Sequence, residues 1–362
     1  VSTAMTGFTS RVVYAAAHVV ADPNADNGPG RPAVLDWDAT LRFREHLWSL
    51  GFGIADAMDT AQRGMGLDWP ATQELIRRSG AAAKAVDAAN VPSLLACGAG
   101  TDQLAAGAHP LPDIQAAYEE QLGVVEGAGA RVILMASRAM AASAKSAEDY
   151  LTVYGSLLNQ ASNPVILHWL GDMFDPALAG YWGSSDIPTA MDTVLDLINA
   201  DPAKVDGIKV SLLNADYELE LRRRLPEGVR LYTGDDFNYP DLIKGDEHGH
   251  SDALLGIFDG IARPASQALQ ALDRGDLDAY DRLMTPTVEL SRHIFERPTF
   301  NYKTGLVFLA YLNGHQDHFR MVGGLETARD AAHLTELLRL AEIAGVIDDP
   351  ESAAARFQAV VS

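Results

Sequence analysis

Lys209 lies in the run Val205-Asp206-Gly207-Ile208-Lys209-Val210-Ser211, a short apolar stretch of the kind that forms a buried strand. An ammonium placed there is costly unless it is paired or loses its proton. A desolvated lysine is a neutral amine near pH 7 and attacks a carbonyl to form a Schiff base. The plain alternative is a lysine that snorkels from the strand end or pairs with a carboxylate. His168 closes a second such run, Pro164-Val165-Ile166-Leu167-His168-Trp169. An imidazole at that point moves protons, or is a satisfied structural histidine.

Other polar residues follow apolar runs in the same manner. Asp59 and Thr60 follow the second run; Thr101, Asp102 and Gln103 follow the third. Ser137 and Arg138 follow the fourth, and Asp235 and Asp236 the seventh. The hydroxyls and amides suit a carboxylate or sugar hydroxyls, and Arg138 suits a bidentate carboxylate. Helix capping and surface ion pairs are the plain readings. His248, His250 and Asp252 precede the eighth run. With His168 and Asp236, His250 completes an alternative set of ligands for a divalent ion. His315-Gln316-Asp317-His318 is a further cluster, suited to capping a site, binding metal or holding a subunit contact.

These residues need a scaffold, and the pattern supplies one. Candidate strands are residues 11–20, 53–57, 93–97, 131–136, 165–169, 207–210, 229–233 and 253–258. Helical periodicity separates most of them, over 37–50, 72–89, 114–127, 146–160 and 187–200. Asp36, Ser146 and Asp216 are the expected N-caps. Eight strand–helix units with apolar strands imply an α/β fold, a (β/α)8 TIM barrel over residues 11–264. Residues 265–362 lack a strong strand and read as a C-terminal helical extension packed on the barrel. In such a barrel the strand C-termini and the loops after them build the site.

Composition limits the function. Lys and Arg number 28 against 49 Asp and Glu, a formal net charge of −21. No basic cluster suits a nucleic acid, and the acidity repels anionic membranes. No apolar run reaches the roughly 20 residues that span a bilayer. The N-terminal apolar stretch lacks a signal-type core and cleavage site and reads as a strand. The single cysteine, Cys97, excludes an intramolecular disulfide; a reducing, cytoplasmic compartment is expected. Gly98-Ala99-Gly100 lacks the third glycine and the lysine of nucleotide-binding loops.

The order of segments resembles the dihydrodipicolinate synthase and N-acetylneuraminate lyase family of class I aldolase-type barrels, from about residue 11 to 345. The likeness rests on Asp36-Trp37-Asp38, Val91-Pro92-Ser93-Leu94-Leu95, Gly129-Ala130, Asn163 to His168, Gly207-Ile208-Lys209 and Thr233-Gly234-Asp235-Asp236. It implies that Lys209 forms a Schiff base with a 2-oxo acid. The chain departs from the family pattern at three places. Met58-Asp59-Thr60-Ala61-Gln62 replaces the Thr pair that binds the carboxylate. Ser137-Arg138-Ala139-Met140 holds no tyrosine after the fourth strand, and His168 stands where a tyrosine is common. The expected branch is a divergent bacterial one.

The expected activity is a Schiff-base lyase or aldolase, cleaving a C–C bond or removing water from a keto acid or sugar-derived ketone. Lys209 and His168 are its expected catalytic groups. Asp59, Thr60, Thr101, Asp102, Arg138, Asp235, Asp236 and His250 are expected to contact substrate. No cofactor is expected beyond the covalent lysine adduct. The alternatives are a divalent-metal isomerase or class II-type aldolase through His168, Asp236 and His250, and an inactive ligand-binding barrel. A homo-oligomer, dimer or tetramer, is expected from the resemblance. Asn301-Tyr302-Lys303 and Met321-Val322-Gly323-Gly324 match no family segment.

Overall fold

The computed structural model describes residues 7–361. Its eight strands are β1 (Val13–Ala16), β2 (Gly53–Asp56), β3 (Leu95–Ala99), β4 (Arg131–Leu134), β5 (Val165–Leu170), β6 (Val205–Ser211), β7 (Arg230–Thr233) and β8 (Asp252–Leu255). They close in sequence order into a barrel, with helices between them and after β8. Every strand except β4, β6 and β7 is buried throughout, as parallel strands covered by helices must be. This is the expected (β/α)8 barrel followed by C-terminal helices.

The strand ends differ from expectation where side chains or glycine redirect the backbone. The first strand stops at Ala16 instead of Val20, and the Val20 N–H goes to Thr40 Oγ1 instead of a neighbouring strand. The third begins at Leu95, because Val91–Leu94 forms one helical turn with Pro92 in its favoured early position. The eighth ends at Leu255. A Cβ at Gly256 would lie 3.1 Å from Thr60 Oγ1, and the chain turns there into a short helix, Ile257–Gly260. Asp36 caps helix Trp37–Ser49 through Ala39 N. Ser146 occupies its cap position without a side-chain bond. The cap of helix Ala215–Arg224 is Asn214 and not Asp216, which lies in the first turn and complements the helix dipole.

The chain divides into two compact units. One is the contiguous segment Ala83–Leu254. In it, residues Gly207, Lys209 and Ser211 share one face of β6, by the two-residue period of a strand. Thr233 donates from Oγ1 to Glu218 Oε1 at 2.8 Å, so Thr233 points out toward helix Ala215–Arg224. Its neighbour Tyr232 therefore points inward, and Tyr232 is in register with Lys209. A Cβ on Gly207 would come 2.6 Å from the Tyr232 ring, so glycine makes room for that ring. Tyr232 donates to Asp206 Oδ2 at 2.5 Å, and Asp206 pairs with Arg131 and Arg230 at the N-terminal strand ends.

The other unit runs to Ala82 and resumes at Leu255. Its centre is helix Tyr302–Leu312, buried at every residue. Arg44 is buried with Asp56; its Nη2 lies 2.8 Å from Oδ1 and its Nε 3.1 Å from Oδ2. Ser79 Oγ donates to Asp56 Oδ2 at 2.6 Å, and Arg44 Nη1 donates to the carbonyl oxygens of His18 and Thr40.

Candidate active site

In Ala83–Leu254, Lys209 is buried, 9% exposed, on the inward face of β6. Its register partners are His168 on β5 and Tyr232 on β7. The two expected catalytic groups are thus side by side on adjacent parallel strands, on one face of the sheet. Gly234, just after β7, accommodates the lysine stem. A Cβ there would come 2.5 Å from Lys209 Cε and closer still to Ser211 Oγ. No side chain larger than hydrogen fits without displacing both. Ser211 is buried, and its Oγ has no hydrogen-bond partner among the described residues. It escaped the sequence reading, although the strand period places it on the Lys209 face.

His168 is buried, and its Nδ1 lies 3.2 Å from the backbone N of Ala136. A backbone N–H only donates, so Nδ1 accepts and the ring carries its proton on Nε2. In this tautomer His168 is a neutral hydrogen-bond donor at Nε2.

Three phenols fix the backbone that carries that N–H. Tyr118 donates to Met135 O at 2.5 Å, Tyr118 and Tyr154 hydroxyls lie 3.1 Å apart, and Tyr154 and Tyr181 2.6 Å. Ser137 N donates to Tyr181 OH at 2.9 Å. Burial pushes Tyr118 up to about 12 and Tyr154 and Tyr181 well above the ordinary phenol range, so all three stay neutral. Ser137 Oγ meets Thr101 Oγ1 at 2.5 Å and caps helix Arg138–Ser143 through Met140 N.

Several expected contact residues are engaged locally. Asp102 accepts from Gln121 Nε2, whose Oε1 holds Gly100 N. Arg138 is exposed and paired with Asp175 at 2.5 Å. Asp235 is buried and turns both oxygens to its own loop, accepting from Phe237 N, Asn238 N and Asn238 Nδ2. Asp236 is buried and His250 is exposed. Among the described residues, His168, Asp236 and His250 do not form a group with donor atoms within 4.8 Å of one another; one such group exists, elsewhere. Behind β7, burial pushes the Glu218 carboxyl up to about 8, while hydroxyls of Ser251 and Thr233 partly offset the rise.

In the other unit, Asp59 begins the 3-10 turn Asp59–Ala61 after β2. Thr60 Oγ1 lies 2.9 Å from Tyr302 OH, and the Tyr302 ring stacks on Phe295 at 4.3 Å. Lys303 is buried, its Nζ 3.1 Å from Met65 Sδ and 4.7 Å from the Tyr302 ring. The segment without a family counterpart therefore delivers a phenol and an ammonium to the loop after β2. Contacts across some 240 residues of sequence left no local signal for this. The cluster His315-Gln316-Asp317-His318 serves packing: Gln316 Oε1 lies 3.1 Å from His18 Nε2, and His18 Nδ1 lies 2.7 Å from Asp259. The His315 ring packs on His46 at 4.4 Å, and burial lowers its pKa to about 4.

Among the described residues, no helix is long and apolar enough to cross a membrane. No curated protein matches the chain. Solved structures share its fold. A Pseudomonas aeruginosa protein assigned as a dihydrodipicolinate synthetase is 18% identical with a TM-score of 0.67, covering 92% of this chain and 99% of its own. A dihydrodipicolinate synthase family protein from Coccidioides immitis is 16% identical with a TM-score of 0.65, covering 99% and 100%. Dihydrodipicolinate synthase from Aquifex aeolicus is 14% identical with a TM-score of 0.65, covering 92% and 99%. At these identities the likeness is one of fold. Over residues 1–362 the chain matches the family described as a protein of unknown function (DUF993), and it belongs to that family.

Proposed function

We propose that this chain is a Schiff-base lyase or aldolase that acts through Lys209 on a keto acid or a sugar-derived ketone. The observation that carries the reading is the lysine itself, buried on the inward face of β6 beside His168 and against Gly234. The reading requires the neutral amine, the form that attacks carbon.

In this reading Lys209 Nζ forms a bond to the ketone carbon, and the carbonyl oxygen departs as water after gaining two protons. The resulting iminium draws the electron pair of the adjacent breaking bond, either C–C or the C–H lost before dehydration. In C–C cleavage the other fragment leaves as a carbonyl compound, its hydroxyl proton passing to solvent, and the enamine is protonated on carbon; in dehydration the enamine instead expels the β-hydroxyl, which leaves as water on gaining a proton. Water then hydrolyses the adduct to restore the amine. His168 Nε2–H steadies the oxygen that gathers negative charge, as a donor and not as a base. The neutral histidine of a known isomerase barrel polarises a carbonyl in this way. Ser211 Oγ and the Thr101–Ser137 hydroxyl pair supply exchangeable protons.

The test is borohydride reduction in the presence of a panel of 2-oxo acids and ketoses, read by intact and peptide mass. The expected result is one reduced adduct on Lys209, absent from Lys209→Ala. An unmodified Lys209 across the panel would overturn the reading.

A further inference from the structure

Two His-x-x-Glu steps occur in the C-terminal helices, His293-Ile294-Phe295-Glu296 and His333-Leu334-Thr335-Glu336. The first straddles the end of helix Thr287–Ile294; the second opens helix Ala331–Ile343. The His293 and His333 rings stack with centroids 4.0 Å apart and planes at 19°. One carboxylate meets both. Glu296 Oε1 lies 2.8 Å from His333 Nδ1, and Oε2 lies 3.6 Å from His293 Nδ1. Among the described residues this is the one group of three His, Cys, Asp or Glu side chains with donor atoms within 4.8 Å of one another.

The proton positions point to a cation. His293 Nε2 lies 2.8 Å from the backbone oxygen of His333, and a carbonyl only accepts, so Nε2 carries the proton. Nδ1 is left facing a carboxylate oxygen at 3.6 Å, beyond hydrogen-bond distance and spaced as two ligands of one ion are. That arrangement is stabilised by a positive charge between the two. A ring that donates one nitrogen to a backbone carbonyl while presenting the other is the outer-shell pattern of metal-bound histidine. His333 is buried, and its Nε2 has no hydrogen-bond partner among the described residues. Glu296 is about half exposed, which gives an ion a way in. Glu336 stands one turn beyond His333, paired with Arg339 at 2.6 Å. Arg329 opposes the cation: its guanidinium donates to the carbonyls of Ile294, Glu296 and Pro298.

We propose that His293, Glu296 and His333 form a binding site for a divalent transition metal of the zinc class, clipping helix Thr287–Ile294 to helix Ala331–Ile343. Two imidazoles and a carboxylate suit Zn²⁺, with water in the fourth tetrahedral position. An ion bonded to both Nδ1 atoms lies near the plane of each ring, so loading splays the stack.

The experiment is calorimetric titration of the chelator-treated full chain with Zn²⁺, paired with Co²⁺ absorption spectra and thermal melts. The expected result is one equivalent bound, a tetrahedral Co²⁺ spectrum, and a raised melting temperature. His333→Ala and Glu296→Gln should weaken binding by more than the roughly 10–100-fold that loss of an outer-shell partner costs. His248→Ala/His250→Ala, which removes two exposed imidazoles, should bind like the parent. Melts of the metal-free variants identify any that fail to fold, and His293→Gln then serves as the second ligand variant. Failure of the parent to bind, or equal binding by parent and ligand variants, would overturn the proposal.

Discussion

Arg44 and Lys209 both bring a cationic side chain into the interior, and their surroundings differ in kind. Arg44 spends its donors on protein acceptors: both oxygens of Asp56 and the carbonyls of His18 and Thr40. Ser79 Oγ and the Ala57 N–H add two more hydrogen bonds to Asp56. This cluster is saturated with hydrogen bonds and holds its elements together. Lys209 carries an amine, a group that can lose its proton where a guanidinium cannot. It faces a glycine and shares its face with Ser211, whose hydroxyl has acceptor and donor capacity to spare. The contrast separates a cation whose acceptors are all supplied by the protein from an amine set against a glycine and a hydroxyl with bonding capacity left, which is what the proposed chemistry needs.

Deleting each amine or acid separates the two. Lys209→Ala should lower turnover by on the order of 10³-fold or more, with little change in the melting temperature. A turnover loss matched by unfolding would break the comparison. Asp56→Ala should do the opposite, costing about 3–5 kcal/mol because it strands Arg44 in the interior; urea melts read this directly. Ser211→Ala should slow turnover by about 10–100-fold, within the range for a positioned proton carrier. Its stability should stay within about 0.5 kcal/mol of the parent, since no hydrogen bond is lost. A larger stability cost would show that Ser211 is structural.

The smallest effect is one of pH. Glu218 has a folded pKa of about 8, above its unfolded value, so it favours the folded state at low pH. That contribution is lost as pH rises from about 4.5 through 8. Melting temperature should fall over this window, and Glu218→Gln should flatten the slope. A variant with the parent's slope would assign the pH dependence to other groups.

Much of the barrel is legible in the sequence because each strand is a short apolar run and each helix has its own period. Helix Ile187–Ala200 ends where expected, since Asp186 caps it through Thr189 N and Pro188 fits its first turn. Lys209 stands out because a charge inside an apolar run is conspicuous. Strand ends are not legible: β8 gives way to a helix at Gly256, whose close approach to Thr60 is a contact between distant segments. The His168 tautomer depends on where the Ala136 N–H points, and that depends on a chain of phenols from three separate segments. Tyr302 and Lys303 read as ordinary residues of an apolar helix until the fold sets them against the loop after β2.

The division of the chain also has a kinetic consequence. The Ala83–Leu254 unit is continuous, so its parts meet as soon as they leave the ribosome. The other unit joins the two ends of the polypeptide, and its fully buried helix Tyr302–Leu312 emerges only late in synthesis. Until then helices Ile257–Gly260 and Thr287–Ile294, which pack on it, wait for a partner. Nascent chains stalled before residue 302 should therefore recruit chaperones at the segment after β8, well after the middle of the molecule has become protease-resistant.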